Sequence, residues 1–151
     1  MAQYIDGFVL PVPRDRLNEY ERLAEEVAKI WKEHGALDYV EYVGDDMNRE
    51  GTRSFTDLVA ATEDETIVFG WVVFDSREAR DLANEKVAAD PRMADLVDSS
   101  NSGFDAKRMA YGGFRSIVWR DRRITNRCIG AAGRTGSEIR VVHCGPGERA
   151  R

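Results

Sequence analysis

Residues 65–74 read Glu65-Thr66-Ile67-Val68-Phe69-Gly70-Trp71-Val72-Val73-Phe74. This nearly unbroken run of β-branched and aromatic side chains is typical of a β-strand. Apolar side chains occupy both alternating sets of positions, so neither face of the strand can be exposed to water. The sequence therefore predicts a central strand whose faces are both covered, one by the chain's own helices and the other by a second sheet or a second subunit.

The segments before this strand predict two further strands and a long helix. A first strand spans residues 3–10 and is expected to end at Pro11-Val12-Pro13, because proline cannot continue a ladder. Apolar residues recur at spacings of three and four from Leu17 to Trp31, which predicts a helix with Gly35 as its C-terminal glycine. A second strand follows at residues 37–43, and residues 52–61 predict a short strand or turn.

The segments after the central strand predict two helices and a last strand. Ser76 is a good N-cap for a helix whose inner residues are Ala79, Leu82, Ala83 and Val87. Asp90-Pro91 interrupts this helix, so residues 92–97 are expected to form a separate short one. After a polar loop at residues 99–104, the last strand is expected at residues 107–119, with Gly112-Gly113 in its middle.

The resulting element order is β-α-β-β-α-β, the split βαβ pattern of a ferredoxin-like, four-stranded antiparallel α+β sheet. Two helices can cover only one face of such a sheet. Because the central strand is apolar on both sides, we expect the second face to be covered by the same face of a second copy across a two-fold axis. The predicted partner is therefore another copy of this chain.

Charge and composition divide the 151 residues into two parts. The net charge is −5, but residues 120–151 hold eight arginines and three acids, a net charge of +5, which leaves −10 for residues 1–119. Residues 1–119 are therefore expected to form the folded domain, and an acidic body disfavours nucleic-acid binding. Residues 120–151 contain no Phe, Tyr or Trp and predict a disordered or weakly packed tail.

Composition also predicts where the protein is found. The only cysteines are Cys128 and Cys144 in the tail, so no disulfide is expected to stabilise the fold. No charged and apolar signal segment is evident at the N-terminus, and no apolar run approaches the roughly 20 residues that span a bilayer. These features predict a cytoplasmic protein without membrane attachment.

Six separated motifs stand out along the chain. They are Tyr4-Ile5-Asp6-Gly7-Phe8, Pro11-Val12-Pro13, Trp31-Lys32-Glu33-His34-Gly35-Ala36-Leu37, Asp64-Glu65-Thr66-Ile67-Val68-Phe69, Asp90-Pro91-Arg92-Met93 and Phe104-Asp105-Ala106-Lys107-Arg108-Met109-Ala110-Tyr111-Gly112-Gly113-Phe114. Together they resemble the YbaA-like family of uncharacterised bacterial proteins, which belongs to the dimeric α+β barrel superfamily. The resemblance extends from residue 3 to about residue 118 and implies a dimeric α+β barrel, with no known reaction. The tail departs from it, since such proteins typically stop shortly after the last strand.

The candidate ligand-binding residues combine large aromatic side chains with polar groups in neighbouring elements. Such a mixture describes a small-molecule pocket, although large aromatic residues most often form core and a histidine at a helix end is most often a cap. Asp6 and Arg108 are predicted on neighbouring strands, where they can form either a structural ion pair or an anion-orienting pair. The six candidates are Asp6, Trp31, His34, Trp71, Arg108 and Tyr111.

Known catalytic and cofactor motifs are absent from the sequence, so no cofactor and no metal are expected. There is no HExxH, phosphate loop, nucleophile elbow or Rossmann fingerprint. Cys128, His143 and Cys144 supply at most three metal ligands, all in the tail. Whether the protein is an enzyme is therefore left open by the sequence.

Three hypotheses for function remain. The first is a homodimer that binds a small molecule or acts as a cofactor-independent oxygenase or isomerase, a chemistry taken from fold analogy alone. The second is a non-catalytic structural or stress-associated interaction protein. The third is RNA binding through the arginine-rich tail. A cavity with polar side chains converging on it favours the first hypothesis, and a filled core with every polar group paired favours the second.

Overall fold

The computed structural model of the protein describes residues 3–98 and 105–118, all within the compact unit Met1–Arg120. The predicted tail with Cys128, His143 and Cys144 lies outside the described residues, as does the predicted polar loop at residues 99–104. Disorder of the tail therefore stays a prediction.

The described chain forms one four-stranded sheet in the order β2-β3-β1-β4, and each neighbouring pair is antiparallel. Short 3-10 turns precede α1 and β4, at Arg14–Arg16 and Ala106–Arg108. This arrangement confirms the predicted α+β fold with the split βαβ pattern. The elements are β1 (Tyr4–Pro13), α1 (Leu17–Glu33), β2 (Asp38–Val43), α2 (Phe55–Leu58), β3 (Glu65–Phe74), α3 (Arg77–Ala89), α4 (Pro91–Leu96) and β4 (Ala110–Arg115).

Local capping residues define the ends of the helices where the sequence predicted them. The Ser76 side chain accepts a hydrogen bond from the backbone of Ala79 at the start of α3. Asp90 caps α4 by accepting from the backbone of Arg92. Gly35 follows α1 with φ of 110°, a left-handed conformation that glycine adopts without a steric penalty. The break at Asp90-Pro91 and the separate short helix are therefore confirmed.

Two predicted strands have the wrong bounds, and one predicted element is of another type. Strand β1 continues through Pro13. Residues 11–13 pair with β3 alone, since the last pair with β4 is at Val9, and such an edge tolerates proline. Residues 52–61 contain the short helix α2, which Ser54 caps.

The last strand spans Ala110–Arg115 rather than residues 107–119. It begins late because the Asp105 side chain accepts from the backbone of Lys107 and closes a 3-10 turn, and residues 116–118 are outside any strand.

The register assigns alternate residues to the two faces of the sheet. Asp6, Phe8, Leu10 and Val12 of β1 lie on one side with Val68, Val72 and Phe74 of β3, and this side packs against the helices. Helix α1 contributes Tyr20, and α3 contributes Ala83, to the same core. The predicted inner position of Leu82 is wrong, since this side chain is 52% exposed.

The opposite side of the sheet is covered only in part. The segment between β2 and β3 lays Val59 against Val9 and Ile67. Beyond it, a shallow apolar surface remains exposed among the described residues, and we call it the open face. Its members come from β1, β2, β3, β4 and α2, and the principal side chains are Ile5, Tyr42, Phe55, Leu58, Phe69, Trp71 and Phe114.

Among the residues that the structure describes, no helix combines the length and the apolar character needed to cross a membrane. The cytoplasmic location stays a prediction.

Candidate functional site

A cavity of about 170 Å³ lies between the sheet, α1 and α4. It is bounded by the inner stripe of α1, the helix-facing side of the sheet, the α4 residues Met93 and Val97, and the start of β4. Space remains because the α1 stripe carries the small side chain of Ala24 next to much larger neighbours. The lining residues are Phe8, Leu10, Tyr20, Leu23, Ala24, Val27, Trp31, Tyr39, Glu41, Val72, Met93, Val97, Met109 and Tyr111.

Glu41 carries the one charge on the wall of this cavity within the described part of the chain. The hydroxyl of Tyr20 donates to Oε2 of Glu41 over 2.7 Å, and the hydroxyl of Tyr39 donates to Oε1 over 2.5 Å. Burial, and then the Glu41 charge, raise the pKa of both tyrosines. Both phenols therefore stay neutral at physiological pH and act as hydrogen-bond donors to the carboxylate.

Gly70 leaves the space that this arrangement needs. It lies opposite Phe8 of β1 and Glu41 of β2 in the sheet. A Cβ atom at residue 70 would lie 2.6 Å from the carbonyl oxygen of Val40, 2.7 Å from Cζ of Phe8 and 2.9 Å from Cγ of Glu41. The Glu41 side chain thus lies against the backbone of Gly70, where any larger residue would displace it.

Asp6 forms a second polar cluster on the same side of the sheet. The carboxylate is fully buried, accepts from Nη1 of Arg80 over 2.9 Å and accepts from the hydroxyl of Tyr111. The Arg80 guanidinium also lies over the Tyr4 ring, 4.9 Å from its centroid. Burial, and then Asp6, raise the pKa of Tyr111. Both carboxylate oxygens of Asp6 are therefore satisfied by protein groups.

The predicted contact between Asp6 and Arg108 is wrong. Arg108 lies in the 3-10 turn before β4, where it forms a two-pronged ion pair with Glu65 and donates to the carbonyl of Ala60. Its hydrogen bond lowers the pKa of Glu65. Arg108 ties the start of β3 to the chain before β4 and does not line the cavity.

His34 lies at the junction of α1 with α3 and α4. Its Nε2 is 2.8 Å from Oδ2 of Asp90, and Arg92 bridges Asp90 to Glu33. Hydrogen bonds from Arg92 and then His34 lower the pKa of Asp90. The cluster joins the C-terminal end of α1 to the start of α4, and His34 does not reach the cavity wall.

The structure thus separates the six candidate residues. Trp31 and Tyr111 line the cavity, and Asp6 lies behind Tyr111. Trp71 is on the open face with Phe69, 5.7 Å between ring centroids, because its position in β3 alternates away from the helices. The six residues do not line one common pocket, and whether any of them binds a ligand stays a prediction.

Two residues of these clusters, Glu41 and Arg80, are not among the six candidates, although the sequence carries a signal for each. Arg80 precedes Ala83 by three residues and Val87 by seven, so it belongs to the buried stripe of α3. A buried arginine needs an acidic partner. Glu41 follows Tyr39 by two residues, so both lie on the side of β2 that faces the helices. A charge within a buried stripe is the signal in both cases.

No group of three or more His, Cys, Asp or Glu side chains suited to a metal ion is found within residues 3–98 and 105–118. The sheet order and the cavity together place the chain in the class of ferredoxin-like α+β proteins with a pocket between the sheet and the helices. The chain belongs to the family described as "Protein of unknown function (DUF1428)", which matches residues 3–106. The resemblance seen in the six motifs is thereby confirmed.

Curated relatives agree with this assignment. The chain is 43% identical over 116 residues to "Uncharacterized protein YbaA" of Escherichia coli strain K12, which covers 77% of this chain and 97% of the relative. The protein of the same description from Shigella flexneri matches to the same extent.

Solved structures with a similar arrangement are more distant. A NIPSNAP-family protein of unknown function from Agrobacterium tumefaciens has a TM-score of 0.47 and 12% identity, covering 76% of this chain and 87% of that chain. A dimeric ferredoxin-like protein of unknown function from Jannaschia sp. CCS1 has a TM-score of 0.44 and 14% identity, covering 74% and 97%.

We predict that Gly70→Ala lowers the free energy of unfolding by about 1–3 kcal/mol, the usual cost of overpacking. The new methyl group would meet the backbone of β2 and the side chains of Phe8 and Glu41. Gly112→Ala is the matched control, because its nearest contact would be Phe114 at 3.4 Å. Urea unfolding of both variants at one protein concentration makes the comparison. Equal losses for the two variants would contradict the account of Gly70.

We predict that Arg80→Ala costs about 3–5 kcal/mol of stability, because it leaves the buried Asp6 carboxylate without its cation. Arg108→Ala is expected to cost less, about 1 kcal/mol, because the Arg108 guanidinium is more open to water and its pair with Glu65 is only partly buried. The two arginine side chains are 13% and 36% exposed. The measurement is again urea unfolding, and a larger loss for Arg108→Ala would show that its pair with Glu65 is the critical buried charge pair.

Proposed function

We propose that the protein binds a small, largely apolar molecule in the cavity between α1, α4 and the sheet. The observation that carries this proposal is a void of about 170 Å³ with polar tips from Glu41, Tyr20, Tyr39 and Tyr111 on an otherwise apolar wall. Ligand sites typically combine such walls with a few placed polar groups. An apolar cavity of about 150 Å³ is already large enough for benzene, so one aromatic ring fits here.

The alternative of a purely structural or interaction protein predicts a filled core. The void between α1 and the sheet argues against it, whereas the mutual pairing of Asp6 with Arg80 and of Glu41 with the two tyrosines is compatible with it. Binding is therefore the better supported of the two. Oxygenase or isomerase chemistry stays a prediction from fold analogy, and RNA binding rests on a tail outside the described residues.

We predict that toluene, a neutral probe, binds in the cavity with a dissociation constant on the order of 1 mM. Ala24→Phe should abolish binding because its ring fills the void, and Ala88→Phe, on the exposed side of α3, should not. Binding is followed by shifts of the methyl NMR signals of Leu23, Val27 and Val72. The proposal fails if toluene leaves these signals unchanged in the folded wild-type protein.

We also propose that a second copy of the chain covers the open face. The support is a continuous apolar surface on β1, β3 and β4 that only the short helix α2 borders, since α1, α3 and α4 pack on the other side of the sheet. Phe114, at 55% exposed, is on the edge strand β4, and its ring lies beside Gly7 of β1 and Gly112. Monomeric proteins seldom leave such a large apolar patch in water, and identical faces can pair across a two-fold axis.

We predict that light scattering at micromolar concentration reports two chains for the wild-type protein. Phe114→Glu should give monomers, because it places a charge within the buried interface. Leu82→Glu is the control, since Leu82 is similarly exposed but lies on α3, on the other side of the sheet. A wild-type mass of one chain would contradict pairing through the open face.

A further inference from the structure

Glu41 has no cationic partner among the described residues. Its hydrogen bonds come from two neutral hydroxyl groups, those of Tyr20 and Tyr39. Other carboxylates with little exposure do have such partners. The side chains of Asp6, Glu65 and Asp90 each pair with an arginine or a histidine. Burying a carboxylate without a cationic partner is costly unless another group compensates it.

The surroundings of this carboxylate favour an organic cation. No Lys, Arg or His lines the cavity within the described part of the chain. The wall contains the rings of Trp31, Tyr20, Tyr39 and Phe8, and the Phe8 and Tyr39 rings lie 6.2 Å apart with their planes tilted by 42°. Aromatic faces attract ammonium groups, and a carboxylate accepts charge-assisted hydrogen bonds from them. An anionic ligand would instead meet an unneutralised negative charge.

The position of the carboxylate is also fixed before any ligand arrives. Each oxygen accepts from a different tyrosine, one on α1 and one on β2, so the group is held from two elements. Gly70, which lacks a side chain, leaves room for Cγ of Glu41 beside β3. Because a carboxylate oxygen has two acceptor sites, each oxygen keeps one for a further donor. Such preorganisation lowers the cost of binding.

We propose that the cavity is a site for a small hydrophobic amine, whose ammonium group binds Glu41 while its apolar body packs against Trp31 and the α1 stripe. This inference rests on the proposed ligand-binding function of the cavity and adds the chemical class of the ligand. The volume of the cavity limits the body to about one aromatic ring or a short branched chain.

The test compares three probes of the same shape that differ in the charge of the head group. Calorimetric titration at pH 7 of the wild-type protein uses 2-phenylethylammonium, 2-phenylethanol and 3-phenylpropanoate. The ammonium is expected to bind about 10- to 100-fold tighter than the alcohol, the range for a hydrogen bond to a charged group. The propanoate is expected to bind weakest of the three.

Substitution of the carboxylate then assigns this preference to Glu41. Glu41→Gln keeps the shape and one acceptor oxygen, so the ammonium should lose its advantage over the alcohol. Glu25→Gln removes the same charge from the exposed side of α1 and should keep that advantage. An equal loss in both variants would assign the preference to the overall acidic charge and overturn the inference.

The wild-type series tests the inference even if Glu41→Gln does not fold. If the alcohol binds and the ammonium binds no tighter, the amine inference is wrong while the proposed binding function stands. If none of the three probes binds, both are wrong. Tighter binding of the propanoate than of the ammonium would also overturn the assignment to amines.

Discussion

The structure depends on one mismatch: the sheet is apolar on both faces, but α1, α3 and α4 cover only one of them, and the segment with α2 covers the other only in part. The central strand β3 places Val68, Val72 and Phe74 toward the helices and Phe69 and Trp71 away from them. The hydrophobic effect favours removing both sets from water, at roughly 25 cal/mol for each Å². The cavity therefore lies between the helices and the face that they cover, and the open face is left for a partner copy.

Within the helix-covered face, the cavity and the buried charges are linked by the same strands. Tyr111 contributes to the cavity wall and donates to Asp6, which is held in turn by Arg80 of α3. Met93 of α4 closes another side, and the Asp90 cluster anchors the start of that helix to α1. A substitution in one of these ion pairs is thus expected to change the cavity by shifting the helix or strand that the pair holds, and not by removing a contact with a ligand.

The sequence predicts those features that depend on local chemistry. The period of α1, the cap at Ser76 and the glycine after α1 are properties of a few neighbouring residues, and all three are present. Contacts between distant elements are not specified by local patterns: Asp6 of β1 pairs with Arg80 of α3, while Arg108 lies in the 3-10 turn before β4. The same limit hid Glu41, whose meaning depends on its position beside Gly70 in a neighbouring strand.

A crystal structure of the protein with 2-phenylethylammonium tests the central claim most directly, because it shows both the void and the role of its carboxylate. The account predicts the phenyl ring against Trp31 between α1 and the sheet, with the nitrogen within hydrogen-bonding distance of Glu41. Tyr20 and Tyr39 should still donate to the same carboxylate. A structure in which the space is filled by protein side chains, with Glu41 turned to solvent, would contradict the account.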